Sequence, residues 1–464
     1  MSPMRLVLGV MMAASLVLVA PSPRADPPNA WDATTRARFL GLLVEHPDAS
    51  SASIAWLTAN WRDEYVPMAL EIVRFIPQRA LAQELLGLVA AKTGQRDIGN
   101  DWASWMQWQW TRPPPPAEFA AFKAALYADI DPRFEKYFSP AYPARIRLDE
   151  VVWGGVPQDG IPPLRKPKML KAAEARYLAD SDVVFGVKIN SDARAYPKRI
   201  LAWHEMFVDR VGGVDVAGVY CTLCGAIIVY GTVVDGRSYQ LGTSGFLYRS
   251  NKLMYDAETQ SLWSTLEGRP VIGTLAAQEI SLPTYEVVTT TWGEWRKRHP
   301  GTSVLSLATG FQRDYAEGEA YRIYFATDAL MFPVPGADNR LRNKQEVLVP
   351  RFGAPDERPL AIASDYLKRN PAWHGRYGAK DFVVLTDRSG AHRVYGLPPG
   401  MRVRTWNGDR AVVDNDGRSW ELTEAGLVRD GVALPRLPSH NAFWFGWRAA
   451  HPDTTLIAED RVAP

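Results

Sequence analysis

The sequence predicts an α+β protein with a helical N-terminal domain, a strand-rich core domain and a small strand-rich C-terminal portion. Three observations predict it. Apolar residues recur at three-to-four spacing from residue 32 to 128, extended runs replace that period from Val183 onward, and residues 380–464 show short strand patterns between hairpin turns. A chain of 464 residues, 47% hydrophobic and 22% charged, has room for two or three folding units with real cores, which excludes a disordered or collagen-like chain.

Met1 to Ala25 reads as a secretory signal: Arg5 is the positive start, Leu6 to Ala20 is apolar, and Pro21 to Ala25 forms a small-residue cleavage region before Asp26. An uncleaved anchor is the competing reading. Loss of Arg5 and Arg24 brings the 53 basic residues down to 51, level with the 51 acidic ones, so no nucleic-acid partner is expected. No later run reaches about 18 uninterrupted apolar residues, so the expected mature chain has no stable membrane span and sits in the periplasm or outside the cell. That compartment is oxidising, and its structural disulfides usually close large loops. The chain has only two Cys, three positions apart.

Residues 26–128 are assigned to the helical domain on Phe39 to Leu43, Met68 to Ile76 and Leu81 to Val89. Trp102, Trp105 and Trp108 fall on one helix face, read as packing against a neighbour in preference to an aromatic ligand platform. The prolines Pro113 to Pro116 break the helix, and Ala117 to Tyr127 resumes it. Residues 129–167 form a Pro/Gly-rich linker. The core, 168–350, is predicted from strands at Val183–Ile189, Val214–Tyr220, Ala226–Val233, Ser238–Gly242 and Val304–Leu307, and 351–464 forms the C-terminal region with turns at Asp387–Gly390 and Asn415–Arg418.

One frame occurs twice: Trp292, Trp295, Arg296, His299, Pro300 and Thr302 match Trp444, Trp447, Arg448, His451, Pro452 and Thr454. It predicts a helix with two Trp one turn apart, stopped by His-Pro before a strand.

The sharpest local feature is Cys221-Thr222-Leu223-Cys224-Gly225. A Cys-x-x-Cys serves as a redox dithiol, a metal clip or a tight structural disulfide. In thioredoxin-like enzymes the motif opens a helix whose N-terminus lowers the first thiol pKa. Here extended runs flank it, predicting a strand-loop-strand connection in which Gly225 takes a positive φ, the geometry of a metal knuckle. A closed zinc site needs four ligands, and no second Cys pair exists. Three completions stay open. His204 and Met254 complete a site for a soft ion such as copper, the pair cycles between dithiol and disulfide without metal, or two chains pool their pairs. Joining cysteines so close gains little loop-closure entropy, which favours function over an inert staple.

Several runs around this loop then take on meaning together. Gly242-Thr243-Ser244-Gly245 through Ser250-Asn251 to Met254-Tyr255-Asp256, Ser261 to Ser264, Asp159 to Pro162, Ala195-Tyr196-Pro197, Trp203-His204-Glu205 and Leu330 to Pro333 resemble the domain-of-unknown-function family numbered 3179. The resemblance covers about 145–350, and the 380–464 tail also looks like the C-terminal region of relatives. Some members carry selenocysteine in the Cys-x-x-Cys region, which implies redox or soft-metal chemistry at Cys221 and Cys224. Relatives commonly have Pro after the first Cys, where this chain has Thr222.

Other motifs carry less. Gly242 to Gly245 with Arg249 and Lys252 is read as a turn before an anion nest, Ser244 lacks the hydrolase elbow context, and Val208 breaks a His-Glu-x-x-His frame at His204. The expected function is a thiol-dependent oxidoreductase or soft-metal centre. Cys221, Cys224 and His204 are its catalytic residues, Cys221, Cys224, His204 and Met254 its metal ligands, and Ser250, Asn251 and Tyr255 shape the cofactor pocket. The expected partner is a redox or envelope protein. The alternative is a non-catalytic envelope binding module with Trp-rich surfaces.

Overall fold

The computed structural model describes residues 31–336, 338–351 and 358–459. The expected leader, 1–25, lies outside the described residues. Six α-helices run from Ala33 to Ala128 and a 3-10 turn continues to Tyr137. Their starts are set locally: Asp32 accepts the Thr35 N–H at 2.7 Å, and Asp101 accepts that of Ser104 at 2.9 Å, each satisfying an orphan donor of the first turn. Trp105 is fully buried, while Trp102 and Trp108 pack against the same core and Trp102 donates its indole N–H to the Leu70 carbonyl. The Trp face is therefore mainly packing. Phe122, Tyr127 and Phe134 of this region share one apolar cluster with Phe246, Leu253 and Tyr255 of the strand region, which fixes the helices to it.

Inside that contact Lys123 is fully buried and donates to Glu71 at 2.7 Å and to the Val151 carbonyl at 2.7 Å. Burial pushes the Lys123 ammonium pKa down, and the Glu71 carboxylate opposes it.

From Val183 the chain is mostly strand. One five-stranded sheet is ordered Val287–Thr291, Val183–Ile189, Asp192–Pro197, Ser303–Leu305, Met169–Lys171. A second runs Thr284–Tyr285, Ala226–Gly231, Val214–Cys221, Met206–Val211, Leu164–Arg165. The third contains Leu241–Tyr248 and Asn251–Asp256. The strand predicted at Ser238–Gly242 is split: Arg237–Ser238 ends one hairpin, and Leu241 begins a longer strand. Strand Ser439–Phe443 of the C-terminal portion pairs with Glu346–Pro350 at the end of the predicted core, and Val347, Val349 and Ala442 join the cluster that holds both cysteines, so the C-terminal portion packs as part of the core.

Both repeated frames fold as the sequence predicts. Helix Trp292–Arg298 ends at His299 before strand Ser303–Leu305, and Trp444–Ala450 ends at His451 before Thr455–Ile457. Among the described residues, no helix is long and apolar enough to cross a membrane.

Candidate functional site

Cys221 closes strand Val214–Cys221 and faces Ala226, the first residue of Ala226–Gly231. The chain turns between them through Thr222, Leu223, Cys224 and Gly225. Gly225 has φ +61°, and a Cβ there would meet the Phe443 ring at 2.9 Å, so both conformation and space require glycine. Cys221 and Cys224 are joined as a disulfide with 5.5 Å between their Cα atoms. The motif therefore sits on a hairpin and does not itself open a helix.

Both cysteines are buried, Cys221 at 1% and Cys224 at 0% exposure, and they differ in what surrounds them. Cys224 is fully buried under helix Trp444–Ala450: a Cβ on Gly446 would lie 2.6 Å from the Cys224 Cβ, and Phe443 donates its N–H to the Cys224 carbonyl at 2.7 Å. Cys221 lines a cavity of about 60 Å³ with Thr222, Glu205, Lys252, Tyr321 and Phe332. This is far below the roughly 300–1,000 Å³ of ordinary small-molecule sites. It has room for a group the size of a thiol.

That cavity has a charged wall. Glu205, with φ 54°, follows helix Lys198–His204, and Lys252 lies on a strand buried along its whole length. Lys252 Nζ is 3.1 Å from Glu205 Oε2 and donates to the Glu205 carbonyl at 3.3 Å. Thr222, inside the Cys-x-x-Cys, donates its hydroxyl to Glu205 Oε1 at 2.5 Å, and Tyr321 donates to the same oxygen at 3.1 Å. Burial pushes the Lys252 ammonium pKa down, and Glu205 opposes the shift. Burial also drives the Tyr321 phenol well up, with the Glu205 charge adding to it. Tyr324 donates its hydroxyl to the Leu223 carbonyl at 2.7 Å, anchoring the loop from the opposite side.

The residues expected as further ligands go elsewhere. His204 is fully buried, but its Nδ1 donates to the Pro162 carbonyl at 2.9 Å and its Nε2 accepts from the Tyr315 hydroxyl at 2.6 Å. Burial lowers its pKa, favouring the neutral ring that this pattern requires. Met254 is buried in the apolar cluster of the cysteines, opposite Trp263, and does not line the cavity. Of the expected ligand set of Cys221, Cys224, His204 and Met254, the two sulfurs bond to each other, both His204 nitrogens are hydrogen-bonded, and neither His204 nor Met254 lines the cavity that Cys221 borders. Among the described residues, no group of three or more His, Cys, Asp or Glu side chains is arranged to hold a metal ion.

Ser250 and Asn251 turn the chain beside Cys224. Ser250 has φ 64°, and Asn251 donates to the Gly446 carbonyl at 3.0 Å. Tyr255 donates to Asp159 at 2.6 Å, and its phenol pKa is pushed up to about 12, chiefly by burial. Gly242 to Gly245 is neither turn nor nest but part of strand Leu241–Tyr248, with a bulge between Thr243 and Leu247. Lys252 belongs to Glu205, and Arg249 to Glu150.

Sequence reasoning missed the Glu205–Lys252 pair. A signal existed: Lys252 directly precedes the apolar run Leu253-Met254-Tyr255, and a lysine buried there needs a counter-charge. Nothing in the sequence identifies Glu205 as that partner.

The family model described as Protein of unknown function (DUF3179) matches residues 158–454. No curated protein and no solved structure matches the chain.

Proposed function

The chain belongs to the DUF3179 family, and from its disulfide loop we propose that it is a thiol-disulfide oxidoreductase whose exchanging sulfur is Cys221. The observation that carries this reading is the asymmetry of the pair: Cys221 borders a cavity shared with a buried Lys252–Glu205 pair, while Cys224 is sealed beneath Gly446. Sulfur access decides which atom of a disulfide is attacked.

An incoming thiolate from a dithiol substrate bonds to the Cys221 sulfur. The Cys221–Cys224 bond breaks, and Cys224 leaves with its electron pair. The second thiolate of the substrate then attacks the substrate sulfur of the mixed disulfide and releases Cys221 as a thiolate. The substrate is oxidised by two electrons, and the protein's pair is reduced. Lys252, which lines the same cavity, supplies positive charge to stabilise the Cys221 thiolate. The expected leader and the oxidising compartment it leads to fit a substrate dithiol in the cell envelope.

Equilibration of the purified protein with dithiothreitol buffers, followed by alkylation and mass measurement, tests this. A reversible two-thiol transition in the folded protein is expected. A pair that resists reduction until the protein unfolds overturns the reading.

A second reading has one observation in its favour. A groove of about 490 Å³ runs between Trp102 and Asp101 of the helical region and Met331, Phe445 and Arg448. Met331 also borders the Cys221 cavity. A non-catalytic binding module would use this groove, and it predicts that Trp102→Ala abolishes the cellular role while Cys221→Ala does not.

A further inference from the structure

The order of elements from Val183 to Leu305 recurs from Glu346 to Ile457. In the first segment, Val183–Ile189 pairs antiparallel with Asp192–Pro197 and Val287–Thr291, and Ser303–Leu305 joins Asp192–Pro197 in parallel. In the second, Glu346–Pro350 pairs antiparallel with Leu360–Ala363 and Ser439–Phe443, and Thr455–Ile457 joins Leu360–Ala363 in parallel. Helices Lys198–His204 and Trp292–Arg298 are matched by Ser364–Arg369 and Trp444–Ala450.

The hairpins match as well. Met206–Val211, Val214–Cys221, Ala226–Gly231 and Thr284–Tyr285 lie side by side in one segment, as do Ala372–Tyr377, Lys380–Thr386, His392–Leu397 and Val432–Leu437 in the other. Each then carries an inserted antiparallel meander, Leu241 to Ile272 and Val403 to Arg429. The first segment adds a short hairpin, Val233–Val234 with Arg237–Ser238.

Individual contacts recur at matching places. Trp263 donates its indole N–H to Asp256 at 3.1 Å, and Trp420 to Asp414 at 3.0 Å. The Tyr230 hydroxyl donates to the Thr265 carbonyl at 2.8 Å, and that of Tyr395 to the Thr423 carbonyl at 2.8 Å. His299 packs on Trp295 with ring centroids 4.2 Å apart, and His451 on Trp447 at 4.0 Å. The run Gly225-Ala226-Ile227-Ile228-Val229-Tyr230-Gly231 corresponds to Gly390-Ala391-His392-Arg393-Val394-Tyr395-Gly396.

The segments also cover each other reciprocally. Phe443 of the second bonds the Cys224 carbonyl in the first, and Thr290 of the first places its hydroxyl 3.1 Å from that of Ser389 in the second. Reciprocal contact between the same two surfaces is the signature of an isologous pair.

Strand register then assigns the second loop. Cys221 faces Ala226, and Asp387 donates its N–H to the Ala391 carbonyl at 2.9 Å. The Asp387 carboxylate accepts from the Ser389 N–H at 2.9 Å, the Ala391 N–H at 3.1 Å and Arg393 at 2.8 Å. It closes this turn by hydrogen bonds, where the disulfide closes the other covalently.

We infer that residues 183–305 and 346–457 are two copies of one α+β unit packed as a pseudo-two-fold pair, with Asp387 in the place of Cys221 and the second loop the redox-silent counterpart of the disulfide loop. The disulfide site is composite: the first copy supplies the cysteines, Glu205 and Lys252, and the second supplies the helix that seals Cys224.

Grafting tests this without reference to any activity. In the full chain, Asp387→Cys is combined with replacement of Arg388-Ser389-Gly390 by Thr-Leu-Cys-Gly, reproducing the first loop. A second disulfide is expected, doubling the thiols alkylated after reduction. Introduced thiols that stay free in the oxidised, folded protein overturn the inference. Because Asp387 is buried and the graft is exposed to misfolding, a second variant, Thr290→Cys with Ser389→Cys, reads the reciprocal contact directly. Non-reducing peptide mapping should find these two positions linked, with Cys221–Cys224 intact. Two free thiols there overturn the inference as well.

Discussion

Gly446 lies against Cys224 so closely that a methyl group on its α-carbon would stand 2.6 Å from the Cys224 Cβ, although 222 positions separate the two residues. The repeated Trp helix is thereby the lid of the disulfide loop. Three polar interactions hold that loop in register from below and beside it: Phe443 to Cys224, Thr222 to Glu205 and Tyr324 to Leu223.

Gly446→Ala tests the lid. The added methyl must push the helix off Cys224, and overpacking of this kind costs about 1–3 kcal/mol. A lower denaturation midpoint together with faster reduction of the disulfide by dithiothreitol is expected. Unchanged reduction kinetics would show that the helix does not control access.

Single-cysteine variants distinguish the two sulfurs. Cys224→Ser leaves Cys221 on the cavity and should accumulate a mixed disulfide on incubation with the small disulfide cystamine, one cysteamine leaving as a thiol. Cys221→Ser leaves only the sealed sulfur and should form at least tenfold less adduct under the same conditions. Intact-mass measurement reads both, and equal adduct on the two variants contradicts the assignment of Cys221.

Lys252→Met leaves the buried Glu205 carboxylate without its counter-charge. Breaking one partner of a buried ion pair costs about 3–5 kcal/mol, because the remaining charge stays desolvated. Lys252→Met combined with Glu205→Gln should recover a large share of that loss in urea denaturation. In the reduced protein, Lys252→Met should raise the Cys221 thiol pKa, seen as slower iodoacetamide alkylation at pH 7.

Acid should weaken the fold through buried histidines. His392 and His451 are held neutral, both with pKa lowered to about 4, first by burial and then by nearby positive charge, Lys368 for His392 and Arg351 for His451. The unfolded chain binds protons near the ordinary value of about 6.5, so it takes them up before the folded protein does. The contribution of these histidines should therefore be lost as pH drops from 6.5 towards 4. The loss is on the order of 3 kcal/mol for each histidine. Urea midpoints between pH 7 and 4.5 check the sign, and His392→Gln should make the slope shallower.

Much of the architecture was legible in local pattern. The three-to-four spacing of Leu81, Leu85 and Val89 marks a helix because one face must be buried, and Asp387 to Gly390 marks a hairpin because those residues close turns. The ends of elements were less legible. Strand Leu241–Tyr248 contains Gly242, Thr243, Ser244 and Gly245, which read locally as a turn, and only pairing with Asn251–Asp256 holds them extended.

By itself the sequence determined an α+β chain, a Cys-x-x-Cys on a strand-loop-strand hairpin with Gly225 at positive φ, and a Trp-helix frame used twice. These depend on dihedral preference, periodicity and spacing, all of which act within a few residues. Only the tertiary structure decided that His204 bonds Pro162 and Tyr315, that Lys252 meets Glu205 beside Cys221, and that the second Trp helix closes over Cys224. Each of these joins residues that are distant in sequence, and a buried polar or charged group is stable only with a partner that the fold brings to it.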